Sequence, residues 1–218
     1  MTYVGIDFSL NSPGICIKWE DGSYLFSSFF NNSGRDPKKP IPKAFQIHHE
    51  LDELTAIVAM PYNRKVGDKD FLTREREKLV DGIEIADLIA GYLIALVGTT
   101  DVKIALEGFS YGSTGNSFID IVQYNSMLRY RLTQAFGAEN IFVFQPSHVK
   151  KNAGKGNANK HYMVNAFQND VFDDKDLRLS KLWQYCSDKD YSEKIPKPID
   201  DIVDSYFILQ SILKLEKV

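Results

Sequence analysis

Four acidic residues on three separate stretches of the chain have the residue type and spacing of a divalent-cation site. Asp7 and Glu107 each end a short apolar run, as residues at the carboxyl ends of buried strands do. Asp201 and Asp204 lie one helical turn apart near the end of the chain. Carboxylate oxygens suit Mg²⁺ and Mn²⁺, and a pair of such ions can direct water onto a phosphodiester. These acids therefore predict a metal site for phosphodiester hydrolysis.

The composition favours a single domain over residues 1–218. With 44% hydrophobic residues, a chain of this length can bury a sizeable core. The longest apolar stretch, 83–97, is too short and too charged to span a membrane, and the N-terminus lacks a basic-then-apolar signal. We therefore expect a cytoplasmic protein with no membrane partner. Cys16 and Cys186 are far apart in sequence, which gives a disulfide framework or a zinc site little support.

The charge of the chain is unevenly distributed. A net charge of −3 does not by itself indicate a nucleic-acid partner, yet residues 148–161 contain no acid. Much of the compensating negative charge falls in 170–176 and 188–193. The basic segment is either a solvated surface or a phosphate-binding face. Its basic residues are His148, Lys150, Lys151, Lys155, Lys160 and His161.

The hydrophobic pattern predicts an α/β fold in which a five-stranded mixed sheet is flanked by helices. A turn at 20–23 predicts a hairpin and so an antiparallel opening, whereas the later alternation of strand and helix is typical of parallel strands. The predicted strands cover residues 3–7, 15–19, 24–30, 102–107 and 141–144. The predicted helices cover residues 44–60, 73–97, 117–136, a short stretch from 146, 159–171 and 199–215.

Four separated segments resemble, in the same chain order, the RuvC-like Holliday-junction resolvases of the ribonuclease H-like superfamily. GIDFSL at 5–10, followed by Pro13-Gly14, is similar to the family's opening GIDPSL…TG, and IALE at 104–107 is similar to its second acidic strand. PSHVKK at 146–151 and GKGNANK at 154–160 follow the family's P-x-x-V-K and G-x-G-x-A-x-K. PIDDIVD at 198–204 resembles its P-x-D-A-A-D-A.

The resemblance implies a ribonuclease H-like fold and a crossover junction endodeoxyribonuclease. Such an enzyme hydrolyses phosphodiesters in Holliday junctions and related branched DNA with two Mg²⁺ ions, which Mn²⁺ can replace, and leaves a 5′-phosphate and a 3′-hydroxyl. The implied metal ligands are Asp7, Glu107, Asp201 and Asp204, and Lys160 joins them in the catalytic set. Asp200 is left out of the metal set because it is placed to cap the last helix.

The resemblance also implies how the protein would engage DNA. Symmetric cleavage of a four-way junction needs two sites, which implies a homodimer with twofold symmetry. Either Phe109 or Tyr111 would stack at the junction, or both simply pack in the core, and helix 117–136 is a plausible dimer interface. The DNA-binding set comprises Ser9, Phe109, Tyr111, Lys150, Lys151, Lys155 and Lys160, with Gly154 and Gly156 allowing the loop to approach a phosphate.

One stretch, about 35–76, is longer than the compact bacterial enzymes need. It is expected either to contact an extra DNA arm or to extend a dimer interface, and it suggests a phage or viral member that would act in the host cytoplasm. Its basic residues include Arg35, Lys38, Lys39 and Lys43.

Three functional alternatives accompany this interpretation. One is a branched-DNA or flap nuclease of the same fold without resolvase symmetry, and another is an inactive DNA-binding relative. The third, an actin-like or sugar-kinase-like ATPase, needs further glycine-rich phosphate motifs that the later strand turns do not contain.

Overall fold

The computed structural model describes residues 1–33, 43–67, 69–109 and 116–216. Within these ranges six strands form one mixed sheet, in the order β4-β3-β2-β1-β5-β6. The pairs β1–β2 and β2–β3 are antiparallel, and the other neighbours are parallel. The strands are β1 Thr2–Asp7, β2 Gly14–Lys18, β3 Tyr24–Asn31, β4 Val58–Tyr62, β5 Val102–Glu107 and β6 Ile141–Phe144.

Helices cover both faces of this sheet. The helices are α1 Lys43–Glu53, α2 Phe71–Val97, α3 Asn116–Phe136, α4 Pro146–Asn152, α5 Lys160–Gln168, α6 Lys175–Leu179, α7 Lys181–Ser187 and α8 Ile199–Leu215. A 3₁₀ turn, Ala138–Asn140, leads into β6. None of the helices in the described ranges is long and apolar enough to cross a membrane.

The mixed sheet with an antiparallel opening is as predicted, but the predicted count of five strands is wrong. Residues 44–60 do not form one helix, because α1 ends at Glu53 and β4 pairs in parallel with β3, placing Val58 beside Ser27. The five residues of β4, which include Pro61, have no clear alternation of apolar and polar side chains. Their strand conformation therefore depends on the pairing with β3. The proline is tolerated because β4 is the edge strand.

The stretch at 35–76 is therefore partly a helix and an added edge strand. Residues 34–42 and 68 lie outside the described residues, and with them the predicted contacts of Arg35, Lys38 and Lys39. The same holds for the side chain of Lys43. Short helices α6 and α7 were also not predicted. Cys16 and Cys186 are both buried free thiols.

Helix α8 is the central helix of the fold, and it is buried on nearly every side. Residues 199–212 are all buried except Asp204, which is half-buried. Helix α8 packs on β1, β2 and β5 with α4 and α5 beside it, which places its apolar residues in the core. The opposite face of the sheet is covered by α2 and α3.

Two strand glycines allow α8 to lie directly on the sheet. A Cβ atom on Gly14 would meet the carbonyl oxygen of Asp201 at 2.5 Å, and one on Gly5 would meet the backbone nitrogen of Leu209 at 2.6 Å. Both contacts are with backbone atoms, which cannot rotate away. The absence of these side chains therefore sets the distance between α8 and the ends of β1 and β2.

We expect Gly14→Ala to lower the free energy of unfolding by about 1–3 kcal/mol, because the added methyl group overpacks the sheet–helix contact. Urea unfolding measures this loss. Gly91→Ala in α2 is the matched control, since no atom lies within 4 Å of a Cβ placed there. It should stabilise the protein by about 0.5–1 kcal/mol, as glycine in a helix interior is unfavourable. Equal effects of the two substitutions would contradict the packing argument.

Candidate active site

Asp7 and Glu107 lie beside each other at the carboxyl ends of two parallel strands. Strands β1 and β5 are parallel and in register, with Ile6 opposite Leu106. The next residue of each strand, Asp7 or Glu107, therefore reaches the same edge of the sheet. Both acids are half-buried. They line a cavity of about 190 Å³ whose other walls are formed by Phe8, Gly108, Phe109, Phe118, Ile121 and Asn125.

Helix α8 brings the other two predicted acids to the same edge. Burial raises the pKa of Asp7 well above its usual value, and the charges of Asp204, Asp201 and Glu107 raise it further. Burial likewise raises the pKa of Asp204 to about 7, with Lys160 opposing and the neighbouring acids adding to the shift. The four predicted acids thus interact electrostatically across three elements.

The charge balance of the site favours the binding of a divalent cation. Burial raises the pKa of Glu107, which the charge of Lys150 lowers in part. Burial also raises the pKa of Asp201, and Asp200 adds to this. Crowded carboxylates that penalise one another's ionisation are stabilised as anions by a divalent ion. The donor chemistry therefore fits Mg²⁺ or Mn²⁺.

The carboxylates are not, however, gathered into a finished coordination sphere. Across the described parts of the chain, no three or more His, Cys, Asp or Glu side chains are grouped so that they could hold a metal ion. Asp201 is already occupied, because the Ser12 hydroxyl donates to its Oδ2 at 2.5 Å and Lys197 pairs with its Oδ1. A metal ion at Asp201 would share this carboxylate with the Lys197 ammonium.

Asp200 does not cap α8, contrary to the prediction from the sequence. The N-cap of α8 is Pro198, and no side-chain hydrogen bond caps the helix. The Asp200 carboxylate is instead buried, and its Oδ2 pairs with both Lys160 and Lys197. Its Oδ1 is buried without a hydrogen-bond partner in the described structure.

Two of the predicted lysines lie at the acidic cluster, and two lie farther out. Lys150 is close enough to Glu107 to lower its pKa. Burial opposes the charge of Lys160, but its hydrogen bond to Asp200 and the nearby acids raise its pKa above the usual value. Lys151 and Lys155 are exposed, and the Lys155 ammonium lies 4.3 Å from the ring centroid of Tyr162.

The aromatic predicted to stack on DNA forms one wall of the acidic cavity. The Phe109 ring lies 4.5 Å from the Arg129 guanidinium carbon and packs edge-on against Phe118, with ring centroids 6.2 Å apart. Phe109 is half-buried, so part of it faces the cavity while part packs in the protein. Tyr111 lies outside the described residues.

Ser9 and the two loop glycines have local structural roles. Ser9 Oγ accepts the Ser12 backbone N–H at 3.0 Å, which closes the turn after β1 and positions Ser12 for Asp201. Gly154 has a φ of +125°, a conformation that favours glycine, and Gly156 packs against the Ser147 carbonyl oxygen. Their predicted contact with a phosphate stays a prediction.

Three residues at the site were missed by sequence reasoning. Ser12 and Lys197 bind Asp201, and Arg129 donates through Nη2 to the Glu107 carbonyl oxygen at 2.9 Å. The spacing of Lys197, three and four residues before two acids of a predicted helix, is a detectable signal. Arg129 carries no such signal, because α3 reaches Glu107 only through the tertiary fold.

Comparisons with known proteins agree with this architecture. No protein-family model matches the chain, and no curated protein matches it significantly. The crystal structure of the yeast mitochondrial Holliday junction resolvase Ydc2 is similar with a TM-score of 0.54 at 14% identity, covering 99% of this chain and 78% of that one. Two Thermus thermophilus RuvC structures, alone and with a Holliday junction substrate, have TM-scores of 0.46 and 0.48 at 13% and 10% identity, each covering 100% of this chain and 96% of that chain. The predicted resemblance is confirmed at the level of the fold, which this chain shares with the yeast structure.

Proposed function

We propose that this protein is a metal-dependent endonuclease that cleaves Holliday junctions and related branched DNA. The observation that carries the proposal is that Asp204, Asp201 and Glu107 lie close enough to Asp7 at one sheet edge for their charges to raise its pKa. The same fold is found in the yeast mitochondrial Holliday junction resolvase, which supports the substrate class. Mutual repulsion among buried carboxylates favours divalent-cation binding over a purely structural role.

In this proposal the four acids hold two Mg²⁺ ions, which Mn²⁺ can replace. The bound ions would activate water and stabilise charge on the scissile phosphate, leaving a 5′-phosphate and a 3′-hydroxyl. Lys160 and Lys150 lie next to these acids and would neutralise the phosphate oxygens that are not attacked. The hydrogen bond from Ser12 holds the Asp201 carboxylate in place. The hydrogen bond from Arg129 to the Glu107 carbonyl oxygen holds the end of β5.

The DNA would extend from this cleft over the basic segment. Lys151 and Lys155 are exposed residues and would contact the flanking backbone, Lys155 by leaving the Tyr162 ring, which would make affinity salt-dependent. Phe109 would stack on an unpaired base through the part of its ring that faces the cavity. Two copies related by a twofold axis would cut opposed strands, so we include a homodimer in the proposal.

We expect paired, metal-dependent nicks in an end-labelled immobile four-way DNA junction, placed on opposite strands. Linear duplex, single strand and a flap serve as comparison substrates, with Mg²⁺, Mn²⁺, Ca²⁺ or chelator added. The expected result is cleavage of the junction in Mg²⁺ or Mn²⁺ and none in chelator.

Other cleavage patterns separate the alternatives. Cleavage of flaps or single strands in place of junctions would retain the metal site and reject the resolvase. Tight junction binding without cleavage in any metal would identify an inactive DNA-binding relative. Cleavage that persists in excess chelator would reject the metal mechanism.

A further inference from the structure

Lys197 contacts two acids of the site from the segment just before α8. Its ammonium lies 3.0 Å from Asp200 Oδ2 and also pairs with Asp201 Oδ1. The Asp200 and Asp201 side chains are only 6% and 4% exposed, whereas that of Lys197 is 43% exposed. The lysine therefore reaches the buried acids from the solvent side, where it can be exchanged.

Asp201 differs from the other proposed metal ligands in its hydrogen bonding. Ser12 and Lys197 between them engage both of its carboxylate oxygens. For the parts of the chain that are described, the carboxylate oxygens of Asp7, Glu107 and Asp204 accept no hydrogen bond and form no ion pair. An ammonium and a divalent cation at one carboxylate repel each other strongly when partly buried. Lys197 and a metal ion therefore compete for Asp201.

Asp200 supplies a second position for the displaced lysine. Its Oδ2 already pairs with Lys197 and Lys160, and its buried Oδ1 has no partner in the described structure. A buried acceptor that is left unsatisfied costs about 1–3 kcal/mol, so a donor that moves to this oxygen is favoured. Lys197 can thus give up Asp201 and remain attached to Asp200.

We propose that Lys197 is a positioning residue that competes with the divalent cation for Asp201. In the metal-free protein it neutralises Asp201, and on metal binding it moves onto Asp200, where its charge adds to that of Lys160 for the DNA phosphate. This inference rests on the proposed function, because it requires Asp201 to be a metal ligand.

Calorimetric titration with Mn²⁺ in the absence of DNA tests the competition. We expect Lys197→Met to bind Mn²⁺ with a Kd at least about fivefold lower than the wild type, since the competing cation is gone. The same variant should cleave the junction more slowly, because the added charge beside Lys160 is lost. Lys194→Met is the matched control, since Lys194 is an exposed lysine of the same segment. It also removes one positive charge and should change neither quantity.

The outcomes separate this inference from the proposed function. A folded Lys197→Met that binds Mn²⁺ no more tightly than the wild type, or a Lys194→Met that shows the same gain, overturns the competition. Tighter Mn²⁺ binding by Lys197→Met together with a wild type that cuts no DNA supports the competition and rejects the nuclease. Absence of Mn²⁺ binding in both the wild type and Lys197→Met rejects both.

Lys197→Arg keeps the inference testable if Lys197→Met does not fold, which circular dichroism would reveal. A guanidinium binds a carboxylate through two parallel hydrogen bonds, so arginine should hold Asp201 more firmly than lysine does. We therefore expect Lys197→Arg to bind Mn²⁺ more weakly than the wild type. Unchanged or tighter binding would contradict the competition.

Discussion

Replacing Asp7 by asparagine is expected to abolish junction cleavage while leaving junction binding within about twofold of the wild type. The change removes a proposed metal ligand at nearly constant shape, and the loss of rate should exceed the 10–100-fold that is typical of altering an outer partner of a metal ligand. DNA affinity depends mainly on lysine–phosphate contacts, which the substitution leaves intact. Cleavage kinetics in Mg²⁺ and fluorescence anisotropy with a labelled junction measure the two quantities separately.

The same substitution is expected to raise the melting temperature of the metal-free protein. Burial and three neighbouring acids penalise the ionised form of Asp7, and a neutral amide removes this penalty. Asp101→Asn is the matched control, because Asp101 is exposed and precedes β5 at the end opposite Glu107. Its φ of 54° is one that asparagine tolerates. Retained cleavage by Asp7→Asn, or an equal loss in Asp101→Asn, would reject the assignment of the site.

The stability of the metal-free protein should fall as the pH rises from about 4 to 7, and Asp204→Asn should make this fall smaller. The pKa of Asp204 is about 7 in the folded protein, above its ordinary value of 3.8. A raised carboxyl pKa means that the folded state holds a proton that the unfolded state has lost. The stabilisation is therefore complete below the unfolded pKa and is lost as the pH rises through the folded pKa.

The size of this effect is large enough to measure by thermal unfolding. A rise in the pKa of Asp204 from 3.8 to about 7 corresponds to at most about 4 kcal/mol, or up to roughly 15 °C for a chain of this size. Buried His48 acts in the opposite direction, since burial, followed by the charges of His49 and Lys197, lowers its pKa to about 4. The informative quantity is therefore the difference between wild type and Asp204→Asn at each pH, which cancels the contribution of His48.

Divalent metal should reverse the trend in the wild type. Because metal binds the deprotonated carboxylates, the rise in melting temperature caused by Mg²⁺ should grow between pH 5 and 8 and be strongly reduced in Asp204→Asn. A metal-free difference curve that is flat with pH would show that Asp204 titrates normally. A metal-induced shift that is equal in both proteins would remove Asp204 from the proposed ligands.

The sequence by itself determined the parts of this protein that depend on local pattern. Short hydrophobic runs predicted five strands, and the turn at 20–23 predicted that the first of them pair antiparallel. Four spaced segments that resemble the resolvases predicted the fold. The strand ends at Asp7 and Glu107 and the helical spacing of Asp201 and Asp204 were sufficient to propose these acids as one site. Each of these signals lies within a few residues along the chain.

Only the tertiary structure decided the features that depend on residues far apart in sequence. Strand β4 is formed by pairing with β3, so its five residues did not reveal it. The closeness of α8 to the sheet depends on two glycines whose missing side chains matter only once Leu209 and Asp201 pack above them. Likewise, Asp200 is a partner of Lys160 and Lys197 and not a helix cap. Folding buries its carboxylate, and the two ammonium groups offset the free-energy cost of burying that charge.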